Sequence, residues 1–355
     1  MTLTDQPGDV REDDQIDIEK LSAYLRTQDL LGAHDSLSLK QFPGGASNLT
    51  YMVVTPDRDM VLRCPPHGKK AKSAHDMVRE AKIMRALKPH FPPLPDILTI
   101  SEGDEVLGAP FYVMERLEGI ILRQDIPEAL ALDDAGVTRL CQNVLDVFVD
   151  LHAVDVEAAD LGWMGKGEGY TERQITGWSG RWRDALTDDV DAAEDVLAWL
   201  EKNKPARDSG LCVIHNDYRF DNVVLDKDDP MKVIGVLDWE MATLGDPLMD
   251  LGATLAYWIE ADDDQVFQMM RRQPTNAPGM LGRDEMVAYY AEKSGREIPD
   301  FTFYEVYGLF RLAVIIQQIW WRFRAGQTTN PAFATFGHAA NYLVSRCRRI
   351  IEAKG

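Results

Sequence analysis

The sequence feature that most constrains the fold is a polar stretch followed by two short apolar runs in the second half of the chain. The stretch reads His-Asn-Asp-Tyr-Arg-Phe-Asp-Asn over residues 215–222, and Asp238 follows sixteen residues after Asn222. The apolar runs at residues 223–225 and 233–237 predict two short buried strands. A hairpin of these strands would hold Asn222 and Asp238 side by side.

This spacing suits a site that transfers a phosphoryl group. Protein kinases place a base Asp and a metal-binding Asn five residues apart in one loop, and a second metal-binding Asp further along the chain. Asp217 would then accept the proton of an acceptor hydroxyl, while Asn222 and Asp238 would bind Mg²⁺ through oxygen atoms. Each residue alone is more simply explained as a loop, turn or strand-end residue. Their combination at this spacing favours the phosphotransfer site.

The first third of the chain predicts an antiparallel sheet with helices, because short apolar segments alternate with turn-forming residues. We expect strands at residues 37–42, 49–55, 60–63, 97–100, 105–107 and 111–115. A short helix is expected over residues 16–30, and a second one over residues 73–87, with Ser73 as its cap.

Beyond residue 119 the pattern is mostly helical. The expected helices cover residues 135–154, 171–187, 192–202, 247–260, 283–293, 301–325 and 333–353. The predicted fold class is therefore α+β, with a small sheet-plus-helix lobe before a larger, mainly helical lobe. We expect a disordered acidic tail at residues 1–16, a nucleotide-binding lobe at 17–116, and a catalytic and substrate lobe at 117–355.

A glycine-rich turn between the first two strands is a candidate phosphate-binding loop. It contains Gly44, Gly45, Ser47 and Asn48. Backbone N–H groups of such a turn can approach phosphates closely, because glycine has no side chain to obstruct them. An ordinary hairpin turn explains the same residues about as well.

Three further positions predict a nucleotide site. Arg63 lies on the third strand, where kinases carry a phosphate-binding lysine, and Glu80 lies in the following helix, where kinases carry its partner. Arginine can clamp phosphate oxygens with two hydrogen bonds; a surface ion pair is the simpler alternative. The segment Glu115, Arg116 and Leu117 at the lobe boundary would offer backbone groups to an adenine edge.

Charge and apolar content exclude several functional classes. The net charge is -20, which argues against a nucleic acid or an anionic membrane as the main partner. The four cysteines form no Cys-x-x-Cys pair, which suits a reducing cytoplasm. The apolar region 301–323 contains five charged or amide side chains and predicts a buried helix rather than a membrane span. Within it, Trp320 and Trp321 are expected to pack in the core, with lining of the acceptor pocket as the alternative.

Several polar residues near the motif are predicted to have structural roles. Asp246 precedes Pro247 and reads as a helix N-cap. Asp250 would brace the catalytic loop, His215 would orient its backbone, and His152 would be a satisfied core histidine. For Glu240, a contact with metal and an ion pair are equally good explanations.

Four phrases together resemble one known superfamily: residues 42–51, 61–63, 73–80 and 237–251. They are similar to the aminoglycoside phosphotransferases and choline kinases, and more closely to the kinase-like part of acyl-CoA dehydrogenase fusion proteins. The resemblance implies a protein-kinase-like two-lobe fold and ATP- or GTP-dependent phosphorylation of a small-molecule hydroxyl. In that subgroup, arginine commonly stands at the position of Arg63. Asn216 departs from the family's usual glycine, at a position expected to supply only backbone.

The resemblance also implies candidate acceptors. The subgroup is similar to kinases acting on 4-hydroxyacyl-CoA, while the wider family includes aminoglycoside phosphotransferases. A catalytically silent nucleotide-binding protein is the alternative from another class. A protein kinase is disfavoured, because the Asp-Phe-Gly and Ala-Pro-Glu segments that frame an activation loop are absent. The sequence carries no signal for an oligomeric state.

Overall fold

The computed structural model describes residues 6–43, 48–66, 76–298 and 300–354. Its first part is a five-stranded antiparallel sheet with two helices. The strands are β1 Ser38–Gln41, β2 Leu49–Val54, β3 Asp59–Cys64, β4 Ile97–Ser101 and β5 Phe111–Glu115. They are ordered β1-β2-β3-β5-β4. The helices are α1 Ile18–Thr27 and α2 Met77–Leu87.

The remainder of the chain is mainly helical, with five short strands. The strands are β6 Gly119–Ile120, β7 Cys212–Ile214, β8 Val223–Asp226, β9 Val233–Val236 and β10 Thr243–Gly245. The helices are α3 Asp134–His152, α4 Tyr170–Asp184, α5 Glu194–Asn203, α6 Pro247–Leu255, α7 Gln265–Met269, α8 Arg283–Ser294, α9 Thr302–Arg324 and α10 Phe336–Lys354. The α+β fold class is confirmed.

Strand alternation decides which side chains of β3 face the helical part. Leu62 packs with α1 in a small core on one face of the sheet, while Val61 belongs to the larger core shared with α2 and the helical part. Since side chains two residues apart share a face, Arg63 points to the same side as Val61. On α2, Glu80 lies on the buried face, one turn from Met77.

The predicted hairpin is present. Strands β8 and β9 pair antiparallel, with Val223 opposite Val236. The N–H of Leu237 also donates to the carbonyl oxygen of Asn222 at 2.8 Å. Asn222 and Asp238 therefore flank the same end of the hairpin.

The helices α6 and α9 touch backbone to backbone. A Cβ atom added at Gly308 would lie 2.0 Å from the carbonyl oxygen of Gly252, and one added at Gly252 would lie 2.3 Å from that of Tyr304. Glycine at both positions allows this close approach of the helices. The approach brings Asp250 on α6 and Arg311 on α9 to the same loop.

Two boundaries in the first part of the chain differ from expectation. Residues 105–107 form a turn rather than a strand, closed by the N–H of Gly108 donating to the carbonyl of Asp104 at 2.8 Å. Three alternating residues are too few to specify a strand beside a glycine with φ +74°. Helix α2 begins at Met77, with the Asp76 carboxylate accepting from the N–H of Arg79. The predicted cap, Ser73, lies outside the described residues.

The acidic start of the chain is a further correction. We expected disorder up to residue 16. Residues 1–5 lie outside the described residues, but Gly8 exchanges two backbone hydrogen bonds with Gln41 on β1. The Tyr51 hydroxyl donates to the carbonyl of Asp14 at 2.7 Å. A strand at the edge of a sheet has backbone N–H and C=O groups that can pair with another segment, and amino-acid composition does not predict such pairing.

Helix α9 is buried along most of its length, as its sequence predicts. Among the described residues, no helix is long and apolar enough to cross a membrane.

Candidate active site

The loop between β7 and β8 is anchored by one carboxylate of α6. The Asp250 side chain accepts the N–H of His215 and the N–H of Asn216, both at 2.7 Å. Nε2 of His152 lies 3.1 Å from the same carboxylate, and Nδ1 of His152 lies 2.8 Å from the Tyr290 hydroxyl. The predicted bracing role of Asp250 and the core role of His152 are confirmed.

His215 joins the loop to the hairpin. Its Nδ1 accepts the N–H of Asp217 at 3.2 Å, and its Nε2 lies 3.0 Å from the carbonyl oxygen of Leu237. Since a carbonyl oxygen only accepts, Nε2 must carry the proton. Burial lowers the pKa of His215 and keeps this neutral tautomer. The side chain orients backbone, as predicted.

Two residues of the site have a left-handed backbone. Asn216 has φ +64° and Asp238 has φ +68°. Among residues with side chains, Asn and Asp tolerate this region best, and glycine does so without strain. The departure from glycine at residue 216 is therefore compatible with the loop. The Asn216 side chain adds contacts of its own, accepting from the Tyr170 hydroxyl at 3.2 Å and donating to the carbonyl of Met241 at 3.1 Å.

Asp217 lies at the tip of this loop with 18% of its side chain exposed. Nδ2 of Asn222 donates to its Oδ2 at 3.1 Å, and Nε of Arg219 lies 3.3 Å from its Oδ1. Burial raises the pKa of Asp217 to about 6, against the opposing effect of Arg219. A carboxylate with a pKa near neutrality is a better proton acceptor than an ordinary one.

Arg63 connects α2 to the hairpin. Its Nη1 donates to Glu80 at 2.8 Å and its Nη2 to Asp238 at 3.0 Å. Although burial opposes it, Glu80 raises the pKa of Arg63 well above the ordinary value. Burial also raises the pKa of Glu80 to about 7, despite the nearby guanidinium. The alternative of a surface ion pair is wrong, because Glu80 is fully buried and Arg63 nearly so.

Arg63, Asn222 and Asp238 line one cavity of about 290 Å³ between the sheet and the hairpin. The candidate hinge residues Glu115, Arg116 and Leu117 line it from the other side. Some hydrogen-bonding groups of these hinge residues already have partners within the protein. The N–H of Glu115 donates to the carbonyl of Asp96 at 2.8 Å, and the Arg116 guanidinium pairs with Asp59.

The glycine-rich turn lies only partly within the described residues. Gly44, Gly45 and Ser47 fall outside them, so their predicted contacts with phosphate stay a prediction. Asn48 is described, and its Nδ2 donates to Oε2 of Glu240 at 2.8 Å. This hydrogen bond joins the turn to the segment that follows Asp238.

The donor set suits Mg²⁺ shared with phosphates. With Nδ2 of Asn222 donating to Asp217, the amide oxygen of Asn222 is the atom left for a metal. Asp238 likewise has one carboxylate oxygen beyond the one that contacts Arg63. Among the residues that the structure describes, no group of three or more His, Cys, Asp and Glu side chains could hold a metal. An ion here would complete its shell with phosphate and water oxygens, as Mg²⁺ commonly does.

A larger cavity lies elsewhere. It has a volume of about 580 Å³ between the start of α4 and residues 201–211, and none of the predicted site residues lines it. Asp208 there accepts the N–H groups of Tyr170 and Thr171, which start α4. These contacts explain Asp208 structurally, and we do not place the chemistry there.

Sequence reasoning missed Arg311. This residue of α9 is 1% exposed and donates Nη2 to the carbonyl oxygen of Asn216 at 2.7 Å. Its guanidinium also lies 5.3 Å from the ring centre of Trp178 on α4. Arg311 lies in the middle of the apolar run 301–323, and that position was the available signal, since buried charges require partners.

Comparison with known proteins gives the same picture. Residues 38–286 match the model of the phosphotransferase enzyme family. Acyl-CoA dehydrogenase family member 10 of Mus musculus is 33% identical over 325 residues. That alignment covers 90% of this chain but only 30% of the relative. The chain thus spans less than a third of that relative's length.

Solved structures share the fold. A provisionally named aminoglycoside phosphotransferase from Ralstonia eutropha has a TM-score of 0.80 and 29% identity, covering 96% of this chain and 99% of its own. A mutant of another aminoglycoside phosphotransferase, crystallised with AMP-PNP and hygromycin B, has a TM-score of 0.58 and 17% identity. The alignment with it covers 93% of this chain and 98% of that protein. At that identity, the second similarity concerns the fold alone.

Proposed function

This chain belongs to the phosphotransferase enzyme family, and we propose that it transfers the γ-phosphoryl group of ATP to the hydroxyl of a 4-hydroxyacyl-CoA in the presence of Mg²⁺. The coarser activity, phosphoryl transfer to a small molecule, follows from the family. ATP, the metal and the acceptor are the parts that we propose.

The observation that carries the proposal is the convergence of three side chains at one end of the β8–β9 hairpin. Asp217 contacts Asn222, and Asn222 and Asp238 line one cavity with Arg63. Asp217, Asn222, Asp238 and Arg63 thus place a candidate base, two oxygen ligands and a phosphate-binding cation close together. A silent nucleotide-binding protein would not need the base.

Each residue has a role in the proposed mechanism. Arg63 holds phosphate oxygens of the nucleotide, and the backbone of residues 115–117 contacts the adenine. Bound Mg²⁺ would neutralise negative charge on the phosphates, with Asn222 and Asp238 as its protein ligands. Gly44, Gly45, Ser47 and Asn48 would cover the phosphates from the sheet side.

The transfer step itself needs one protein base. The Asp217 carboxylate takes the proton of the acceptor hydroxyl as its oxygen bonds to the γ-phosphorus. The bond between that phosphorus and the β–γ bridging oxygen breaks, and ADP leaves with the electron pair. Asp217 ends protonated and returns its proton to water. A pKa of about 6 suits both halves of this cycle near neutrality.

The name of the mouse relative, an acyl-CoA dehydrogenase family member, supports an acyl-CoA-type acceptor. Because this chain covers only 30% of that relative, the acyl-CoA acceptor is a proposal that needs its own test. An aminoglycoside acceptor is the second candidate. It is favoured by the similarity to the Ralstonia eutropha protein, at 29% identity over nearly the whole chain.

The deciding experiment is transfer of label from γ-labelled ATP with Mg²⁺ to a panel of acceptors. The panel contains a 4-hydroxyacyl-CoA, aminoglycosides, choline and simple hydroxy acids. Asp217→Asn is the blank, and Asp228→Asn, on the exposed turn of the same hairpin, is the matched control. Labelling of the acyl-CoA alone supports the proposal. If only aminoglycosides are labelled, the acceptor is an aminoglycoside rather than an acyl-CoA. Wild-type turnover by Asp217→Asn would refute the mechanism.

A further inference from the structure

A third cavity lies between α4 and α9 on the helical part. Its volume is about 430 Å³. The residues that line it are Arg181, Asp184, Ala185, Gln318, Trp321 and Arg322. The Trp321 side chain is 40% exposed and lies on the last turn of α9, where Arg322 is exposed as well.

A chain of side-chain contacts through one tryptophan links the lining of this cavity to the catalytic loop. The Arg181 guanidinium lies 4.1 Å from the ring centre of Trp178, and the Arg311 guanidinium lies 5.3 Å from the same ring. Arg311 in turn holds the carbonyl of Asn216, beside the base Asp217. The inner end of the α4–α9 contact is therefore at the reaction site, and its outer end is the cavity.

The outer cations lack carboxylate partners within the chain as described. Arg324, two residues beyond Arg322, pairs with Asp188 and Asp189 at 3.1 Å. In the described residues, no carboxylate lies within 4.0 Å of the guanidinium groups of Arg181 or Arg322, although Asp184 also lines the cavity. Burial, together with the charge of Arg311, lowers the pKa of Arg181. The lining therefore carries two cations and one carboxylate, a local excess of positive charge in a chain of net charge -20, which favours an anion there.

Helix geometry gives the reach of the site. Arg311, Gln318 and Arg322 share one face of α9, because eleven residues complete three turns. The axial separation of Arg311 and Arg322 is about 16 Å at the normal rise of a helix. An acceptor with its hydroxyl at Asp217 and its anionic end at this cavity must therefore be long.

We propose that Arg181, Trp321 and Arg322 form the subsite for a phosphate group carried by the distant end of the acceptor. The guanidinium groups bind phosphate oxygens with charge-assisted hydrogen bonds, and the exposed indole packs on the neighbouring organic chain. This inference rests on the proposed function, and it assigns the phosphorylated end of a coenzyme A thioester to named residues. Aminoglycosides, which are cations, would be repelled there.

A pair of acceptors tests the subsite by turnover. The 4-hydroxyacyl-CoA carries the phosphates, and the matching 4-hydroxyacyl pantetheine thioester lacks them. In Arg181→Gln and Arg322→Gln we expect KM for the CoA thioester to rise about tenfold, with kcat unchanged. KM for the pantetheine thioester should stay as in the wild type. Arg322→Lys should recover part of the loss, and Arg324→Gln, which removes the same charge outside the cavity, should behave as wild type.

A binding measurement separates this inference from the proposed function. The probe is 4′-phosphopantetheine, which has no adenine to occupy the nucleotide site, and calorimetry compares it with pantetheine. Phosphate-dependent binding that Arg181→Gln and Arg322→Gln weaken supports the subsite even if no acyl thioester is phosphorylated. Phosphorylation of both thioesters with equal KM, or equal binding of both probes, overturns the subsite and leaves the proposed function standing.

Discussion

Arg63 and Asp238 lie 175 positions apart in the sequence, yet their side chains meet at 3.0 Å. The contact joins strand β3, which lines the cavity, to the end of the β8–β9 hairpin. Because Arg63 also holds Glu80 on α2, one guanidinium fixes the relative positions of the sheet, the helix and the proposed metal ligand. Phosphates entering the cavity would compete with Asp238 for this cation.

We expect Arg63→Met to lose about 3 kcal/mol of unfolding free energy, since the buried Glu80 carboxyl is then left without its cation. The loss falls at the lower end of such effects because burial already raises the pKa of Glu80 to about 7, so that the group can protonate. Chemical denaturation at pH 7 measures it.

The double variant Arg63→Met with Glu80→Leu separates stability from function. Apolar replacement of both partners should restore most of the lost stability. The KM for ATP should remain raised, because the phosphate-binding cation is still missing. A double variant that recovers wild-type KM would exclude Arg63 from nucleotide binding.

Asp217→Asn should lower kcat by about 10² to 10⁴-fold, the usual contribution of a general base. Asparagine has nearly the same size as aspartate, so the substitution removes the negative charge that faces Arg219 and little else. The Kd for ATP, measured by calorimetry, should change little. Asp228→Asn should leave both quantities unaltered.

Asp238→Asn should raise the Mg²⁺ concentration needed for half-maximal activity by about tenfold or more, because a neutral amide is a weaker ligand than a carboxylate. The measurement is the initial rate against Mg²⁺ at saturating ATP. An unchanged Mg²⁺ requirement would remove Asp238 from the metal site. The KM for the acceptor should stay constant in either case.

The buried His215 predicts a pH dependence of stability. Its folded pKa is lowered below the ordinary histidine value of 6.5, so the unfolded chain binds more protons as the pH falls. The contribution of neutral His215 is therefore full above about pH 6.5 and is lost at lower pH. The stability difference between wild type and His215→Gln should narrow between pH 7 and pH 5.

Gly308→Ala should cost about 1 to 3 kcal/mol of unfolding free energy, because the new Cβ would overlap the carbonyl oxygen of Gly252. Helix α9 must then move away from α6 and take Arg311 with it, so kcat should fall as well. Gly180→Ala on α4 is the matched control, since a Cβ there meets no atom within 4 Å. It should be neutral or slightly stabilising.

Local patterns were enough to predict the hairpin, the place of Arg63 on β3 and the cap at Asp246. Each depends on alternation, spacing or capping within a few residues. The carboxylate of Asp246 accepts from the N–H groups of Leu248 and Met249, as its place before Pro247 predicts.

The features that sequence patterns did not predict depend on distant packing. Arg311 reaches Asn216 only because α6 and α9 approach at Gly252 and Gly308, and no local pattern encodes that approach. The strands β7 and β10 have three residues each and are specified by pairing with one another. The pairing of Gly8 with Gln41 depends likewise on the free edge of β1.

The long helix α9 has one more consequence. Its inner half supports the loop at Asp217 through Arg311, while Gln318, Trp321 and Arg322 on its outer turns line the cavity beside α4. With the proposed subsite, substitutions at residues 318, 321 and 322 would change which molecules are accepted and would leave the proposed transfer groups in place. In a lineage of related enzymes, we expect these three positions to diverge first as new substrates are adopted, with the loop at Asp217 inherited intact.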